Sequence, residues 1–138
     1  MKAYDEVYLS EVVETQGKLF DYVSYAYKGK NTEDFIIAYM NSDTRKFIDQ
    51  QQAYVNTMDY RELLEYFLKN DSYVFVDGDS MEGFMPAWIG EFYAYYQWYY
   101  NLSSSEVVKC VPLEFLKKAY YGLHDLELDL AVKKVGKQ

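Results

Sequence analysis

The sequence predicts an all-α fold: a single-domain bundle of about six or seven helices, with at most one short strand or extended loop near residues 73–76. Apolar residues recur every three or four positions along most of the 138 residues, which is the spacing of a buried helix face. Only two prolines interrupt this pattern. Half of the residues are hydrophobic, enough for one core without disulfides or metals.

The first two predicted helices lie before residue 41. One runs from about Val7 to Tyr27 and ends near Gly29, because glycine is common just past a helix end. Asn31 or Thr32 can cap the next helix, since their side-chain oxygens accept hydrogen bonds from a first turn. Both helices carry a continuous apolar face, so we expect them to contribute to the core.

Two further helices complete the N-terminal half. Ser42 is placed to cap a short helix that passes through Phe47 and Ile48. Thr57 precedes another helix, whose apolar stripe extends to Leu68.

The helical spacing then stops in the middle of the chain. Residues 73–76 favour an extended conformation, and residues 77–79 favour a turn. Because this single short stretch has no evident pairing strand, we expect a loop across the surface. It would divide one domain, residues 1–138, into halves at 1–70 and 84–138.

Pro86 fits the first position of a new helix, where its missing N–H costs nothing, and that helix should end near Asn101. Ser103 and Glu106 have the spacing of a capping box and begin a short helix. Pro112 begins another helix. The tail, residues 123–135, fits either an alternating strand or a helix, and its terminal lysines favour a helix.

The chain is acidic, and its charged residues are unevenly distributed. Its net charge is −8, and no lysine or arginine lies between Lys69 and Lys109. DNA and anionic membranes bind through clustered cations, so neither is an expected partner. Arg45 and Arg61 are too dispersed to form a recognition helix. The electrostatic complement of this chain is a protein with a basic surface.

No apolar run approaches the ~20 residues of a membrane span. The single cysteine, Cys110, excludes a disulfide framework and suits a reducing compartment. Together these features predict a soluble cytoplasmic protein.

Catalytic and metal-binding patterns are weak. Asp77 and Asp79 match the first two ligands of a calcium loop, but Met81 occupies the third ligand position. His124 and Asp125 can form a dyad, although local hydrogen bonding at a helix start explains the pair better. We therefore expect no catalytic residue, no metal ligand and no cofactor, while an enzyme using His124 remains the third alternative.

The most unusual segment is EFYAYYQWYYN, residues 91–101, in which seven of eleven side chains are aromatic. A helix that is aromatic on nearly all sides is typical of the centre of a bundle. Tyrosine hydroxyls need polar partners or water, so the segment also suits a partner surface or a small-ligand pocket. All three interpretations remain open.

Residues 88–98, WIGEFYAYYQW, resemble the W-x-G-x-x-x-A-Y-Y-Q-W segment of a family of small, uncharacterised helical bacterial proteins. The resemblance continues through Ser103, Glu106, the V-P-L-E of residues 111–114, and His124. Members of that family are often encoded beside ADP-ribosyltransferase-like proteins. The resemblance implies a non-enzymatic, antitoxin-like companion that restrains a toxin-like partner.

The leading hypothesis is therefore a non-enzymatic protein-interaction module. An exposed part of the aromatic segment would anchor the partner, and Asp77, Asp79 and Glu82 would steer its basic surface by long-range attraction. The alternative is a small-ligand-binding helical module with a Tyr-lined pocket. The candidate binding residues are Tyr95, Tyr96, Trp98, Tyr99, Asp77, Asp79 and Glu82.

Overall fold

The computed structural model describes residues 2–138 and contains nine α-helices and no strand within that range. The all-α, single-domain prediction is confirmed, with more helices than the six or seven expected. A 3₁₀ turn at Glu6–Tyr8 precedes them. The helices are α1 Leu9–Ala26, α2 Thr32–Met40, α3 Asp43–Asp49, α4 Ala53–Asn56, α5 Tyr60–Asn70, α6 Met85–Tyr99, α7 Ser104–Cys110, α8 Leu113–Leu123 and α9 Leu128–Val135.

Side-chain caps begin three helices at the residues that the sequence indicated. Asn31 accepts from the backbone N–H of Asp34 at 3.0 Å and begins α2. Ser42 does the same for α3, and Ser103 forms the predicted capping box of α7. The start of α5 differs, because Asp59 rather than Thr57 caps it.

The extra helices are short. α4 is a single turn of four residues, too short to show an apolar period in the sequence. The ambiguous tail forms α9, with Ala131 and Val132 buried on one face, so the helical interpretation is confirmed. α9 carries Lys133 and Lys134 in its last turn, where positive charge suits the helix dipole.

α6 is the central helix, as predicted, and α1 packs against it closely. A Cβ on Gly90 would lie 2.6 Å from the carbonyl oxygen of Gln16, so only glycine permits this approach. The Tyr4 hydroxyl, before α1, donates to the carbonyl of Ala94 at 2.6 Å. Since earlier residues of the N-terminal segment face later residues of α6, the two helices run antiparallel.

The two halves of the chain share one core. The helices α7, α8 and α9 pack on α6, while α2 and α3 contact α7. Phe35, Tyr39 and Phe67 form a mutually packed aromatic group on the N-terminal side of this core. No helix within residues 2–138 is long and apolar enough to cross a membrane.

A polar network occupies the middle of the bundle. Arg45, on α3, is fully buried and donates to Gln16 at 2.8 Å, to Asp49 at 2.6 Å and to Gln97 at 2.8 Å. Asp49 also accepts from the Gln97 amide and from the backbone N–H of Ser104. The sequence pattern places Arg45 only among dispersed cations and does not predict its position: the residue joins α1, α3 and α6 inside the core.

An extended segment connects α5 to α6. The Tyr73 hydroxyl donates to Asp34 at 2.8 Å, and the Phe75 ring stacks on Tyr27 at 4.1 Å. Val74 and Val76, which alternate with these inward side chains, are exposed. The segment is therefore a surface loop with strand-like alternation, as expected, although it joins no sheet within residues 2–138.

Candidate functional site

The four aromatic candidates occupy one end of α6 but differ in exposure. Tyr99 is 42% exposed, and Tyr95 and Trp98 are half-buried. Tyr96 is buried in the core, where its hydroxyl donates to the carbonyl of Gly136 at 2.8 Å and accepts from the N–H of Gln138. Three of the four side chains are therefore accessible to a partner, and Tyr96 instead holds the C-terminus against α6.

The three accessible rings form one group, the aromatic cluster of Tyr95, Trp98 and Tyr99. The Tyr95 ring contacts Trp98 edge-on at 5.5 Å and lies parallel to Tyr99 at 6.4 Å. Trp98 and Tyr99 are 6.3 Å apart. Tyr100 joins the cluster to the core, since it contacts both Tyr99 and the buried Tyr96. These contacts restrict the ring rotamers, so binding would lose little side-chain entropy.

Charged groups of both signs surround the cluster. The Lys133 ammonium lies 5.9 Å from the Tyr99 ring centroid, a cation–π contact. Partial burial, with the negative charges of Asp129 and Glu6 contributing, raises the pKa of Tyr95. The Tyr95 hydroxyl therefore stays neutral at physiological pH and remains able to donate a hydrogen bond.

The acidic candidates Asp77, Asp79 and Glu82 are all exposed, in the loop that precedes α6. The Lys30 ammonium binds Asp77 at 2.6 Å, and this hydrogen bond and its charge lower the pKa of the Asp77 carboxyl. Asp77 is thus partly neutralised by its own chain.

The loop acids and the aromatic cluster lie at opposite ends of α6. The 15 residues of this helix span roughly 20 Å. Physiological salt screens exposed charges beyond about 8 Å. The two groups of candidate residues therefore do not form one contact site, and we treat them as two separate surfaces.

A small cavity bears on the ligand-pocket alternative. It lies between α1, α4 and α5, and its volume is about 20 Å³. Val12, Gln16, Val55 and Leu63 contribute to its wall, together with Asn56, whose buried amide nitrogen has no hydrogen-bond partner within residues 2–138. Such a volume accommodates one water molecule rather than an organic ligand, and the aromatic cluster does not line it.

His124 lies beside an open hollow at the end of α8. Its Nδ1 is 2.8 Å from the carbonyl oxygen of Tyr120, and its Nε2 is 3.3 Å from Asp125. The hollow is also lined by Glu91, and burial raises the pKa of that carboxyl. Its lining contains acids and an imidazole but no serine, threonine or cysteine. Within residues 2–138, no three His, Cys, Asp or Glu side chains are grouped to hold a metal ion.

Two features of the structure were not predicted from the sequence, the buried Arg45 network and the exposed valines of residues 73–76. The Arg45 network had one weak signal, the i,i+4 spacing of Arg45 and Asp49 on a short helix. The outward position of Val74 and Val76 followed from the alternation of residues 73–76 but was not recognised as a surface.

No protein-family model matches this chain, and no curated protein or solved structure matches it. The resemblance carried by residues 88–98 therefore stays a prediction. The structural features that bear on function are the aromatic cluster and the acidic loop before α6.

Proposed function

We propose that this protein is a non-enzymatic interaction module that binds another protein through the aromatic cluster of Tyr95, Trp98 and Tyr99. The observation that carries the proposal is the packing of these three rings at the surface, with Tyr99 42% exposed. Tyrosine and tryptophan are the residues most often found at the energetic centre of interfaces. Their rigid apolar bodies and polar tips suit a contact that is dry in the middle and wet at its edge.

The charges of the chain support a partner with a basic surface. The net charge is −8, and the carboxylates of Glu6 and Asp129 lie close enough to influence Tyr95. A partner arginine could stack on an exposed tyrosine ring and pair with one of these acids. The antitoxin-like role is a narrower form of the same proposal, and its support is the resemblance of residues 88–98 alone.

The small-ligand alternative has less support. The enclosed cavity between α1, α4 and α5 is about 20 Å³, far below the roughly 300 Å³ at which drug-sized pockets begin. Larger hollows of 310 to 510 Å³ are open to solvent, and Tyr95, Trp98 and Tyr99 do not line them.

Partner capture with matched variants tests the proposal. The tagged protein, purified from its host, should retain a partner that Tyr99→Ala loses by about tenfold or more. Tyr121→Ala is the matched control, because Tyr121 is 72% exposed and lies on α8, outside the cluster. Circular dichroism must show both variants folded.

Two outcomes would contradict the proposal. One is a partner retained equally by Tyr99→Ala and the wild type. The other is a partner lost equally by Tyr99→Ala and Tyr121→Ala. Turnover of a substrate that His124→Ala abolishes without unfolding the protein would replace the proposal with the enzyme alternative.

A further inference from the structure

Residues 73–76 have the side-chain pattern of a half-buried β-strand. Tyr73 and Phe75 point inward and are held by hydrogen bonding and ring stacking. Val74 is 79% exposed and Val76 is 49% exposed, although both are large apolar residues. β-branched side chains on the outer face of an extended segment are typical of a strand surface. Two adjacent exposed valines on one face of an extended segment form an apolar surface that another chain can cover.

The backbone of this segment is paired only at its C-terminal end, and on one edge. Asn31 N–H donates to the carbonyl of Val76 at 2.7 Å, and Gly78 N–H donates to Gly29 at 3.0 Å, which forms an antiparallel bridge. In an extended chain the peptide groups of alternate residues point to the same edge. The backbone N–H and C=O groups of Tyr73 and Phe75 therefore point to the edge away from Asn31 and α2.

The opposite edge is open. Within residues 2–138, the backbone N–H and C=O groups of Tyr73 and Phe75 have no hydrogen-bond partner. Because buried backbone groups are almost always paired, these groups must reach solvent. Exposed strand edges are usually protected by lysine, proline or a bulge. The sequence S-Y-V-F-V, residues 72–76, contains neither lysine nor proline.

We propose that residues 73–76 form a docking edge to which an extended, basic segment of another protein adds as a β-strand. Backbone hydrogen bonds to Tyr73 and Phe75 would supply the pairing, and the outward valines would supply apolar contact. Charge selects the occupant, because Asp77, Asp79 and Glu82 follow the edge and residues 70–108 contain no lysine or arginine. The Lys30 side chain lies at the C-terminal end of this edge, where its ammonium pairs with Asp77.

A second copy of this chain is the less suitable occupant. Pairing of two copies through this edge would bring together two chains of net charge −8, each with Asp77, Asp79 and Glu82 after the edge, and like charges across paired strands are destabilising. The docking edge lies at the opposite end of α6 from the aromatic cluster. This inference therefore stands or falls independently of the proposed function.

The test uses a synthetic probe, the acetylated and amidated peptide Lys-Val-Lys-Val-Lys-Val-Lys. The matched control peptide has the same sequence with its central amides N-methylated, so it keeps the charge but cannot donate backbone hydrogen bonds. At about 0.15 M salt the probe should bind about tenfold or more tightly than the control in fluorescence anisotropy. Saturating probe should also slow amide exchange at Tyr73 and Phe75 by about tenfold.

Two protein variants give a second readout. Val74→Lys places a cation on the docking edge and should weaken probe binding about tenfold or more. Val7→Lys is matched to it, since Val7 is 76% exposed, lies at the N-terminal turn and changes the net charge equally. That variant should bind the probe within about twofold of the wild type.

Four results would overturn the inference. The first is no probe binding at about 1 mM. The second is equal binding of the probe and its N-methylated control, which would indicate electrostatic adsorption only. Equal weakening by Val7→Lys and Val74→Lys is the third. The last is protection of Tyr73 and Phe75 that grows with protein concentration without probe, which would assign the edge to a second copy of the chain.

Discussion

The Arg45 guanidinium donates to the Asp49 carboxylate at 2.6 Å with both side chains almost completely buried. The pair lies one turn apart on α3, so its geometry is local. The remaining hydrogen bonds of the two charged groups come from distant residues. Gln16 from α1 and Gln97 from α6 each accept from the Arg45 guanidinium, and the Gln97 amide also donates to Asp49. The buried charges are thus satisfied only when three helices are assembled, which couples their packing.

Asp49→Ala should destabilise the protein strongly. The substitution leaves the fully buried Arg45 guanidinium without its counter-ion and removes an acceptor from Gln97 and from Ser104 N–H. Breaking one partner of a buried pair costs about 3–5 kcal/mol. Urea unfolding followed by circular dichroism measures this loss. Asp43→Ala on the same helix is the control, with its side chain 69% exposed and an expected change within about 0.5 kcal/mol. Equal stability of the two variants would show that the pair is not coupled to folding.

The helices were predictable from the sequence because their signals are local. Asn31, Ser42 and Ser103 cap helices through bonds to residues three positions away. The network around Arg45 depends on residues 29 and 52 positions distant, and no local rule reports that Gln16 and Gln97 will meet it. The local sequence pattern therefore predicts the helices, but the contacts of Arg45 with Gln16 and Gln97 arise only from the tertiary packing of those helices.

Gly90→Ala should separate α1 from α6. Its new Cβ would lie 2.6 Å from the carbonyl oxygen of Gln16 and 3.0 Å from the Cα of Gly17, and backbone atoms cannot move aside as a side-chain end can. Overpacking of this kind costs about 1–3 kcal/mol or more.

Gly122→Ala is the matched control for Gly90→Ala. Gly122 lies inside α8, and a Cβ there would meet nothing within 4 Å. Gly122 is in the last turn of α8, where replacing glycine by alanine should stabilise the protein by up to about 0.5–1 kcal/mol. Thermal unfolding should therefore shift in opposite directions for the two variants. A shift of the same sign in both would contradict the close approach of α1 and α6.

The aromatic segment was predictable as a central helix, yet its division between core and surface was not. Helical periodicity, at about 100° per residue, places Tyr95, Tyr96, Trp98 and Tyr99 within roughly 160° of the α6 circumference. Tyr96 is the buried ring, and its hydroxyl donates to the Gly136 carbonyl and accepts from the Gln138 N–H. Gly136 lies 40 residues away in sequence, so no local pattern reports this contact.

Tyr93→Phe should destabilise the protein through one lost hydrogen bond. The Tyr93 hydroxyl is buried and donates to the carbonyl of Val111 at 2.7 Å, and burial raises the Tyr93 pKa. Phenylalanine fills nearly the same space but leaves the Val111 carbonyl without its donor, at a cost of about 1–2 kcal/mol. Tyr121→Phe, at a 72% exposed position, should be neutral in the same urea titration. Neutral behaviour of Tyr93→Phe would show that water replaces the hydroxyl.

Glu91→Gln should stabilise the protein near neutral pH and leave it unchanged in acid. Burial raises the pKa of Glu91 above its ordinary value of 4.5, so the folded state binds the proton more tightly than the unfolded state. Folding stability from this group is fully present below pH 4.5 and is lost as pH rises through the raised pKa. Glutamine carries no charge, so it avoids that loss.

The expected gain from Glu91→Gln is only about a few tenths of a kcal/mol at pH 7, because the partly buried carboxyl is still screened by water. Unfolding free energies should be compared at pH 7 and near pH 4, where the difference between variant and wild type should shrink towards zero. Glu82→Gln, in the exposed loop, is the control and should change stability little at either pH. A Glu91→Gln difference that stays constant with pH would indicate a packing effect, since only a titrating carboxyl produces a pH-dependent gain.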